Sequence, residues 1–322
     1  MTSISRSLRW LAAVPLALML AAGAAAQSYP NRPIRIVVAY PPGQSTDIAT
    51  RYFASKLSAA FGEGVVVENR PGAFGNIGTA YAARATPDGY TLIMGASGTH
   101  AMNPALYDNI GFDAEKDFEP IIATAFIPMV ISAHPSLNVN SLAELIQLAK
   151  ARPDKVDVGL PSVTAQLVFE MIKRQNVPLF GIKYKGSGEA MTALLGNQVP
   201  VLIDTVAASR AQFGKIRPLA VTSAKSMAAL PDIKSVAEQG LDGFSVVAWN
   251  ALMAPRGTPP EIRDRLAAEM RKILALPETA KALYDLGFEP APPMDHRQLL
   301  AWLRSERQTD AEIIRSANMK AD

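Results

Sequence analysis

Apolar and polar residues alternate in blocks along the chain, and the first clear apolar block covers residues 34–39. Because this block is short and rich in Ile and Val, it predicts a buried β-strand. Apolar residues then recur at helical spacing, at Ile48, Tyr52, Leu57 and Phe61. Between the two patterns lies Tyr-Pro-Pro-Gly-Gln-Ser-Thr-Asp at 40–47. Proline ends the strand, glycine permits a turn and Ser, Thr or Asp caps the helix, so we predict a strand-to-helix loop.

The same order of strand, loop and helix recurs twice more. Strands are predicted at 65–68 and 90–94, and glycine-rich or polar loops follow at 69–76 and 95–100. Three such units in succession predict a parallel sheet with its loops gathered at the carboxyl ends of the strands. Open α/β sheets bind ligands at that edge, where helix N-termini attract anions. An ordinary capped turn would show the same pattern at 40–47, so this loop alone does not establish an anion site.

A longer apolar stretch at 118–133, interrupted by Pro128, predicts a crossing into a second domain. There, a capping box at Ser141 and Glu144 begins a helix, and strands are predicted at 155–158, 182–184, 199–203 and 217–221, the last leading back to the first domain. The last third is mostly helical, with another capping box at Thr258 and Glu261. We expect a signal segment at 1–26, domain 1 at 27–123 and 226–322, and domain 2 at 124–225.

Residues 1–26 have the pattern of a secretory signal peptide. Arg6 and Arg9 precede an apolar centre at 11–22, and three alanines stand before Gln27. The apolar centre is shorter than the ~20 residues that span a bilayer, which disfavours a permanent anchor. Cleavage would remove two arginines and no acid, so the net charge would fall from +3 to +1. We therefore expect export across the inner membrane, and no nucleic-acid partner.

Composition narrows the chemistry further. The 322 residues suit one large or two modest domains, and 49% apolar residues suit an α/β core. There is no cysteine, which excludes disulfides, thiolate metal sites and a cysteine nucleophile. Three scattered histidines are too few for a usual metal site. We expect neither a metal nor a cofactor.

Catalytic motifs match poorly. Residues 95–99 resemble a nucleophile elbow but end in threonine, and residues 186–191 begin like a dinucleotide fingerprint but end in methionine. His100 lies on a loop at the expected ligand edge, yet no nearby carboxylate in the sequence would orient it as a base. Tyr184 and Asp204 follow strands and so face the same edge, although Asp204 could instead cap the next helix. Arg210 is more typical of a solvated helix face than of a carboxylate ligand.

Several short motifs stand in a fixed order along the chain after the signal segment. They include VENRPGA at 67–73, NIG at 76–78, PDGYTL at 87–92, SGTH at 97–100, YKG at 184–186, LAVTS at 219–223 and LMAP at 252–255. Together with the segments at 29–38, 41–47 and 257–259, they resemble Bug-type extracytoplasmic solute receptors of tripartite tricarboxylate transporters. The resemblance covers essentially the whole chain after residue 26.

The resemblance implies a type II periplasmic binding protein, an α/β fold in which two domains are joined by two crossing strands and close on a ligand between them. It implies a non-enzymatic, monomeric receptor in the periplasm that binds a small carboxylate and passes it to a two-component membrane permease. Ligand contacts are expected chiefly from the loops at 41–47, 97–100 and 159–165. With the strand ends, the predicted ligand-binding residues are Pro42, Gly43, Gln44, Ser45, Thr46, Asp47, Phe74, Ser97, Gly98, Thr99, His100, Ser162, Val163, Thr164, Gln166, Tyr184 and Asp204.

The chain departs from the family pattern at positions where specificity would be set. Gln44 brings an amide into the first loop, and Phe74 interrupts a glycine-rich turn. The loop at 159–166, commonly rich in serine and glycine, here carries Leu160, Pro161 and Val163. These changes predict a ligand with an apolar or aromatic body and at least one carboxylate. Two alternatives stay open: a sensor that presents the acid to a membrane signalling protein, and a secreted hydrolase using Ser97 and His100.

Overall fold

Three parallel strands form the centre of the first domain. The computed structural model describes residues 29–153, 155–227 and 229–319, so the predicted signal segment at 1–26 lies outside the described residues. β1 (Ile34–Val38) is followed by α1 (Ser45–Phe61), β2 (Val65–Asn69), α2 (Asn76–Ala83) and β3 (Thr91–Ala96). β1 pairs in parallel with both β2 and β3. The three predicted strands and the parallel sheet are therefore confirmed, with boundaries shifted by a residue or two.

A long strand carries the chain into the second domain. A π-helical turn (Gly98–Met102) and α3 (Asn103–Leu106) precede β4 (Phe118–Ala133), which has 16 residues. The second domain then contains α4 (Leu142–Ala151), β5 (Asp157–Leu160), α5 (Val163–Lys173), β6 (Phe180–Lys183), α6 (Ser187–Leu195), β7 (Val201–Thr205), α7 (Val206–Ser209) and β8 (Arg217–Val221). β5 lies in parallel between β6 and β7, and the second half of β4 runs antiparallel to β7 and β8.

The remaining elements return to the first domain. They are β9 (Val247–Pro255), α8 (Pro260–Ala275), α9 (Pro277–Leu286), β10 (Glu289–Pro290) and α10 (His296–Ser316). Short 3-10 turns lie at Ala73–Gly75, Pro135–Leu137, Arg210–Gln212 and Ala237–Gln239. β9 pairs antiparallel with β3 and with the first half of β4, while β10 adds to β4. The strand order is β2-β1-β3-β9-β4-β7-β5-β6, so β4 and β9 are the two crossing strands.

The prediction that residues 217–221 lead back to the first domain is wrong. β8 stays in the second domain, where Val221 lies opposite Val130 of β4. The apolar run of a core strand looks the same as that of a crossing strand, so the sequence did not separate β8 from β9. Val236, Phe244 and Val246 also belong to the second domain's core cluster. We propose that the second domain extends to the start of β9.

Helix ends explain several element boundaries. At α4, Ser141 accepts a hydrogen bond from the backbone N–H of Glu144, as predicted. The capping box predicted at Thr258 is wrong, because Pro259 is the N-cap of α8 and the Thr258 hydroxyl donates to the carbonyl of Pro255 at 2.8 Å. Among the described residues, no helix is both long enough and apolar enough to cross a bilayer.

The C-terminal helix contacts both domains. Leu299 and Leu303 of α10 pack in the core of the first domain, beside Trp249 of β9. Ile314, near the C-terminal end of the same helix, packs in the core of the second domain. α10 therefore lies behind the crossing strands and spans the joint between the domains.

Candidate ligand-binding cleft

The cleft between the domains contains two adjoining chambers. The inner chamber is a small cavity of about 40 Å³, enough for a few water-sized groups, and its back wall is formed by β4 and β9. The outer chamber is a larger cavity of about 490 Å³. Tyr40, Gln44, Ser162 and Val163 line both chambers, so the two cavities share one wall.

Helix N-termini from both domains meet at the inner chamber. α1 starts there at Ser45 and α6 at Ser187, and neither helix has a side chain capping its first N–H groups. α5 starts at Val163, where Ser162 caps the backbone N–H of Ala165. Open N–H groups and positive dipole ends attract anions. No Lys, Arg or His is among the residues that line this chamber, so these backbone groups and hydroxyls would supply its attraction for a carboxylate.

Asp204 is the acidic side chain on the wall of the inner chamber. Its Oδ1 accepts hydrogen bonds from the Ser187 hydroxyl at 3.0 Å and from the Thr205 N–H at 2.7 Å. Its Oδ2 is buried and has no hydrogen-bond partner. Burial raises the pKa of the Asp204 carboxyl to about 7, although these two hydrogen bonds oppose the shift. Asp204 is thus the strongest electrostatic feature of a chamber otherwise lined by neutral groups.

Polar contacts behind the chamber fix the first turn of α1. Asn250 of β9 donates from Nδ2 to Thr46 Oγ1 at 3.1 Å. Asp47 accepts from the Gly43 N–H at 2.9 Å and from Asn69 Nδ2 at 2.8 Å, and it pairs with Arg51. Burial alone would raise the pKa of Asp47, but the hydrogen bonds from Arg51, Gly43 and Asn69 hold it below its usual value. These contacts keep the 41–47 loop in place before any ligand binds.

The outer chamber has a mostly apolar wall with a cation at its edge. Pro41, Pro71 and Phe74 line it from the first domain, and Pro161 and Val163 line it from the second. The exposed residue Lys185 also lines this chamber. The shape and chemistry suit an apolar body whose far end carries a negative charge.

The walls of the cleft lie close to each other across the ligand space. An added Cβ on Gly186 of the second domain would lie 3.4 Å from Pro41 Cγ and 3.6 Å from Gln44 Nε2 of the first. The Thr164 hydroxyl, from α5, lies 3.7 Å from the sulfur of Met102 in the first domain. The structure therefore shows the cleft in a closed arrangement.

Ten of the seventeen predicted ligand-binding residues line one or both chambers. They are Gln44, Ser45, Thr46, Phe74, Ser97, Gly98, Ser162, Val163, Thr164 and Asp204. Their contacts with a ligand remain predictions, and their position supports keeping them in the proposed site.

The other seven predicted residues line neither chamber. Pro42 and Gly43 are exposed, and Asp47 holds the loop as described. Gln166 lines a separate groove beside Asn318 and Met319. Tyr184 packs against a buried apolar cluster that includes Leu202. Thr99 and His100 complete the seven. We leave all seven out of the proposed site, because they line neither chamber. Neighbouring side chains at a helix start point in different directions, and the sequence does not show which of them faces the cleft.

His100 faces the interior of the first domain. Its Nδ1 lies 2.8 Å from Thr99 Oγ1, and its ring packs edge-on against Phe118 with centroids 4.8 Å apart. Burial, with a smaller effect of the Arg307 charge, lowers the pKa of His100 to about 3. Ser97 lines the inner chamber while His100 does not, so the pair needed by a Ser–His hydrolase is not assembled there.

Sequence reasoning missed several residues of the inner chamber. Ser187 and Thr205 line the chamber at the starts of α6 and α7. Tyr40 lines it too and lies two residues after the end of β1. Their positions after strands were a usable signal. Asn250 and the back-wall residues of β4 and β9 gave no signal, since they lie in apolar runs typical of buried strands. Among the described residues, no group of His, Asp and Glu is arranged to hold a metal ion.

Comparison with known proteins gives a consistent result. The model of the family described as tripartite tricarboxylate transporter family receptor matches residues 49–319. Protein BugT of Bordetella pertussis is 34% identical over 307 residues, which is 91% of this chain and 94% of BugT.

Solved structures agree in fold along most of the chain. The structure of R. palustris Rpa4515 with adipate has a TM-score of 0.87 at 34% identity and covers 90% of this chain and 98% of that protein. MatC from Rhodopseudomonas palustris with bound malate has a TM-score of 0.81 at 27% identity and covers 89% of this chain and all of MatC. The two-domain periplasmic-binding-protein fold predicted from the sequence is therefore confirmed. The chain belongs to the tripartite tricarboxylate transporter family receptors and is a Bug-type solute-binding receptor rather than an enzyme.

Proposed function

We propose that this receptor captures an organic acid with an apolar or aromatic body and holds at least one carboxylate in the inner chamber. The observation that carries the proposal is the pair of adjoining chambers, one small and rich in helix N-termini and the other larger and mostly apolar. The adipate and malate bound in the two relatives support a carboxylate as the recognised group.

The inner chamber has enough donors to hold a carboxylate without a cation. Three or four charge-assisted hydrogen bonds, each worth ~1.5 to 3 kcal/mol before ordering costs, would give roughly micromolar affinity. The apolar body would lie between Phe74 and Val163 of the outer chamber. A second carboxylate, if present, would reach Lys185 at the edge, so a dicarboxylate would contact both domains and favour closure.

The cellular route is part of the same proposal. The pattern at 1–26 supports export by a cleaved signal peptide, and family membership supports delivery to a membrane transporter of the tripartite tricarboxylate type. We infer that the mature receptor acts as a monomer in the periplasm and docks on a permease of two membrane proteins.

Thermal unfolding of the mature protein tests the ligand class. The panel contains mono-, di- and tricarboxylates, aromatic acids among them, and the uncharged amide of each acid that shifts the midpoint. An acid at a hundred times its dissociation constant stabilises the native state by ~2.7 kcal/mol, which is readily seen. We expect an acid with an apolar body to shift the midpoint and its amide to have no effect. Binding confined to small hydrophilic acids such as citrate or aspartate would refute the apolar-body assignment.

A further inference from the structure

Asp204 poses an electrostatic problem for a receptor of acids. Its side chain lines the inner chamber, the residue is only 1% exposed, and Oδ2 has no hydrogen-bond partner. Among the residues lining this chamber, no cation offsets an ionised Asp204. A ligand carboxylate entering the same small cavity would be a second negative charge at short range. Keeping both carboxyl groups ionised in a site of low polarity costs free energy, because like charges repel strongly there.

We propose, building on the proposed carboxylate receptor, that Asp204 is protonated in the ligand complex and donates that proton in a hydrogen bond to the ligand's carboxylate. A proton from solvent adds to Oδ2, and the new O–H donates to a carboxylate oxygen of the ligand. Oδ1 keeps its two donors, Ser187 and the Thr205 N–H. Capture of the acid is then coupled to the uptake of one proton whenever Asp204 is ionised in the free receptor.

The surroundings of Asp204 indicate that it is the group whose protonation changes when the ligand binds. Met129, Val130 and Ile131 of β4, which face Asp204 and its neighbours in β7, are uncharged. Tyr40 is the other titratable side chain on the chamber wall, and burial raises its pKa away from neutrality. The charged groups of the adjoining helices have other partners: Glu189 accepts from the Lys185 N–H, Arg210 donates to the Tyr284 carbonyl, and Asp47 pairs with Arg51.

The direction in which pH changes the ligand affinity follows from the pH range in which Asp204 is ionised. Burial sets the pKa of its carboxyl in the free protein to about 7. Below that pH the proton is already present, so affinity for a fully ionised acid does not depend on pH. Above it, each binding event must also bind a proton, and affinity falls by about tenfold for each further pH unit. A ligand that instead presented an ammonium or hydroxyl donor to Asp204 would bind more tightly as pH rises.

Calorimetric titration with adipate, from about pH 6.5 to about pH 8.5, where both of its carboxyls are ionised, tests the coupling. Measurements in buffers of different ionisation enthalpy give the number of protons taken up per adipate bound. Asp204→Asn is the informative variant, because its amide N–H₂ imitates the donating, protonated acid at every pH. Asp310→Asn is the matched control: burial and the nearby Glu306 raise the pKa of Asp310 to about 7 as well, but Asp310 lines neither chamber.

The proposal expects wild type and Asp310→Asn to take up close to one proton per adipate at about pH 8.5, and Asp204→Asn to bind with a flat pH profile and no uptake. Loss of adipate binding in a folded Asp204→Asn at all pH values, or affinity that rises with pH, would overturn it. A carbon-13 titration of the aspartate carboxyls in the presence of saturating adipate separates this result from the proposed function. An Asp204 signal that still titrates near pH 4 in the adipate complex would refute the bound proton, whereas failure of adipate and malate to bind would count against the carboxylate receptor.

Discussion

At the scale of single residues, the loop at 72–75 shows why sequence departures coincide with the cleft. Ala73 and Phe74 have φ of 46° and 50°, a left-handed conformation that costs most residues about 1 kcal/mol or more relative to glycine. Phe74 lines the outer chamber and also packs against the core cluster of the second domain. Its ring therefore stays at the cleft although the positive φ of its backbone is unfavourable. This fits a role of Phe74 in contacting the ligand's body.

Replacing Phe74 tests that role. Phe74→Gly removes the ring from the outer chamber, so we expect the preference for phenylacetate over malate to fall about tenfold, the low end for losing a buried aromatic contact. Competition binding with the two acids measures the ratio. Ala73→Gly is the control, because it relieves a similar backbone strain without removing a ring, and it should leave the ratio unchanged. Equal ratios in both variants would show that Phe74 does not contact the ligand's body.

At the scale of elements, the site is made where strands end and helices begin, and close backbone approach sets its shape. Gly98 starts the π-helical turn after β3, and a Cβ at this position would lie 2.7 Å from the hydroxyl oxygen of Tyr40. Real Cβ atoms do not approach that closely, so any side chain at 98 displaces the Tyr40 ring. Tyr40 lines both chambers, and its position is therefore set by the absence of a side chain on a neighbouring element.

Gly98→Ala should consequently weaken binding by displacing the Tyr40 ring. We expect at least about a tenfold loss of affinity for adipate, because the displaced phenol enters the space where the chambers join. Gly214→Ala is a suitable control, since an added Cβ there meets nothing within 4 Å. Calorimetry on both variants makes the comparison. An unchanged dissociation constant for a folded Gly98→Ala would mean that Tyr40 moves without affecting the ligand space.

These elements also show how far sequence reasoning reaches. Strand and helix patterns predicted β1 to β4 and the loops of the cleft, because burial and period dictate them directly. They did not predict that Asp47 turns back to Gly43 or that His100 turns into the domain, since those directions depend on a rotation of one residue at a helix start. They also missed Asn250, whose contact with Thr46 joins residues 204 positions apart in the chain. Such pairings arise only once the crossing strands are in place.

At the scale of the whole molecule, the proposed function requires the two domains to close on the ligand by moving about β4 and β9. A Cβ added to Gly186 of the second domain would meet Pro41 and Gln44 of the first in the closed arrangement, and the extended backbone of Gly186 accepts any residue. A large side chain there would occupy the closing surface without entering either domain core.

Gly186→Phe should therefore act as a wedge. We expect a larger radius of gyration in small-angle X-ray scattering with adipate present, and affinity about a hundredfold lower because the closed state becomes rare. Gly188→Phe, on the same helix but with open space around its Cβ, should close and bind like wild type. If Gly186→Phe compacts normally on adipate addition, the contact across the cleft is not part of closure.

The central claim is that the inner chamber selects a carboxylate through helix N-termini and hydroxyls rather than through a cation. Calorimetric titration of the mature protein with adipate and with its diamide at about pH 6, where Asp204 holds its proton, tests this most directly. The account predicts roughly micromolar binding of adipate and at least about a hundredfold weaker binding of the diamide, which has the same apolar body but no charge. Equal affinity for the two would contradict it, because recognition would then rest on the apolar chamber alone.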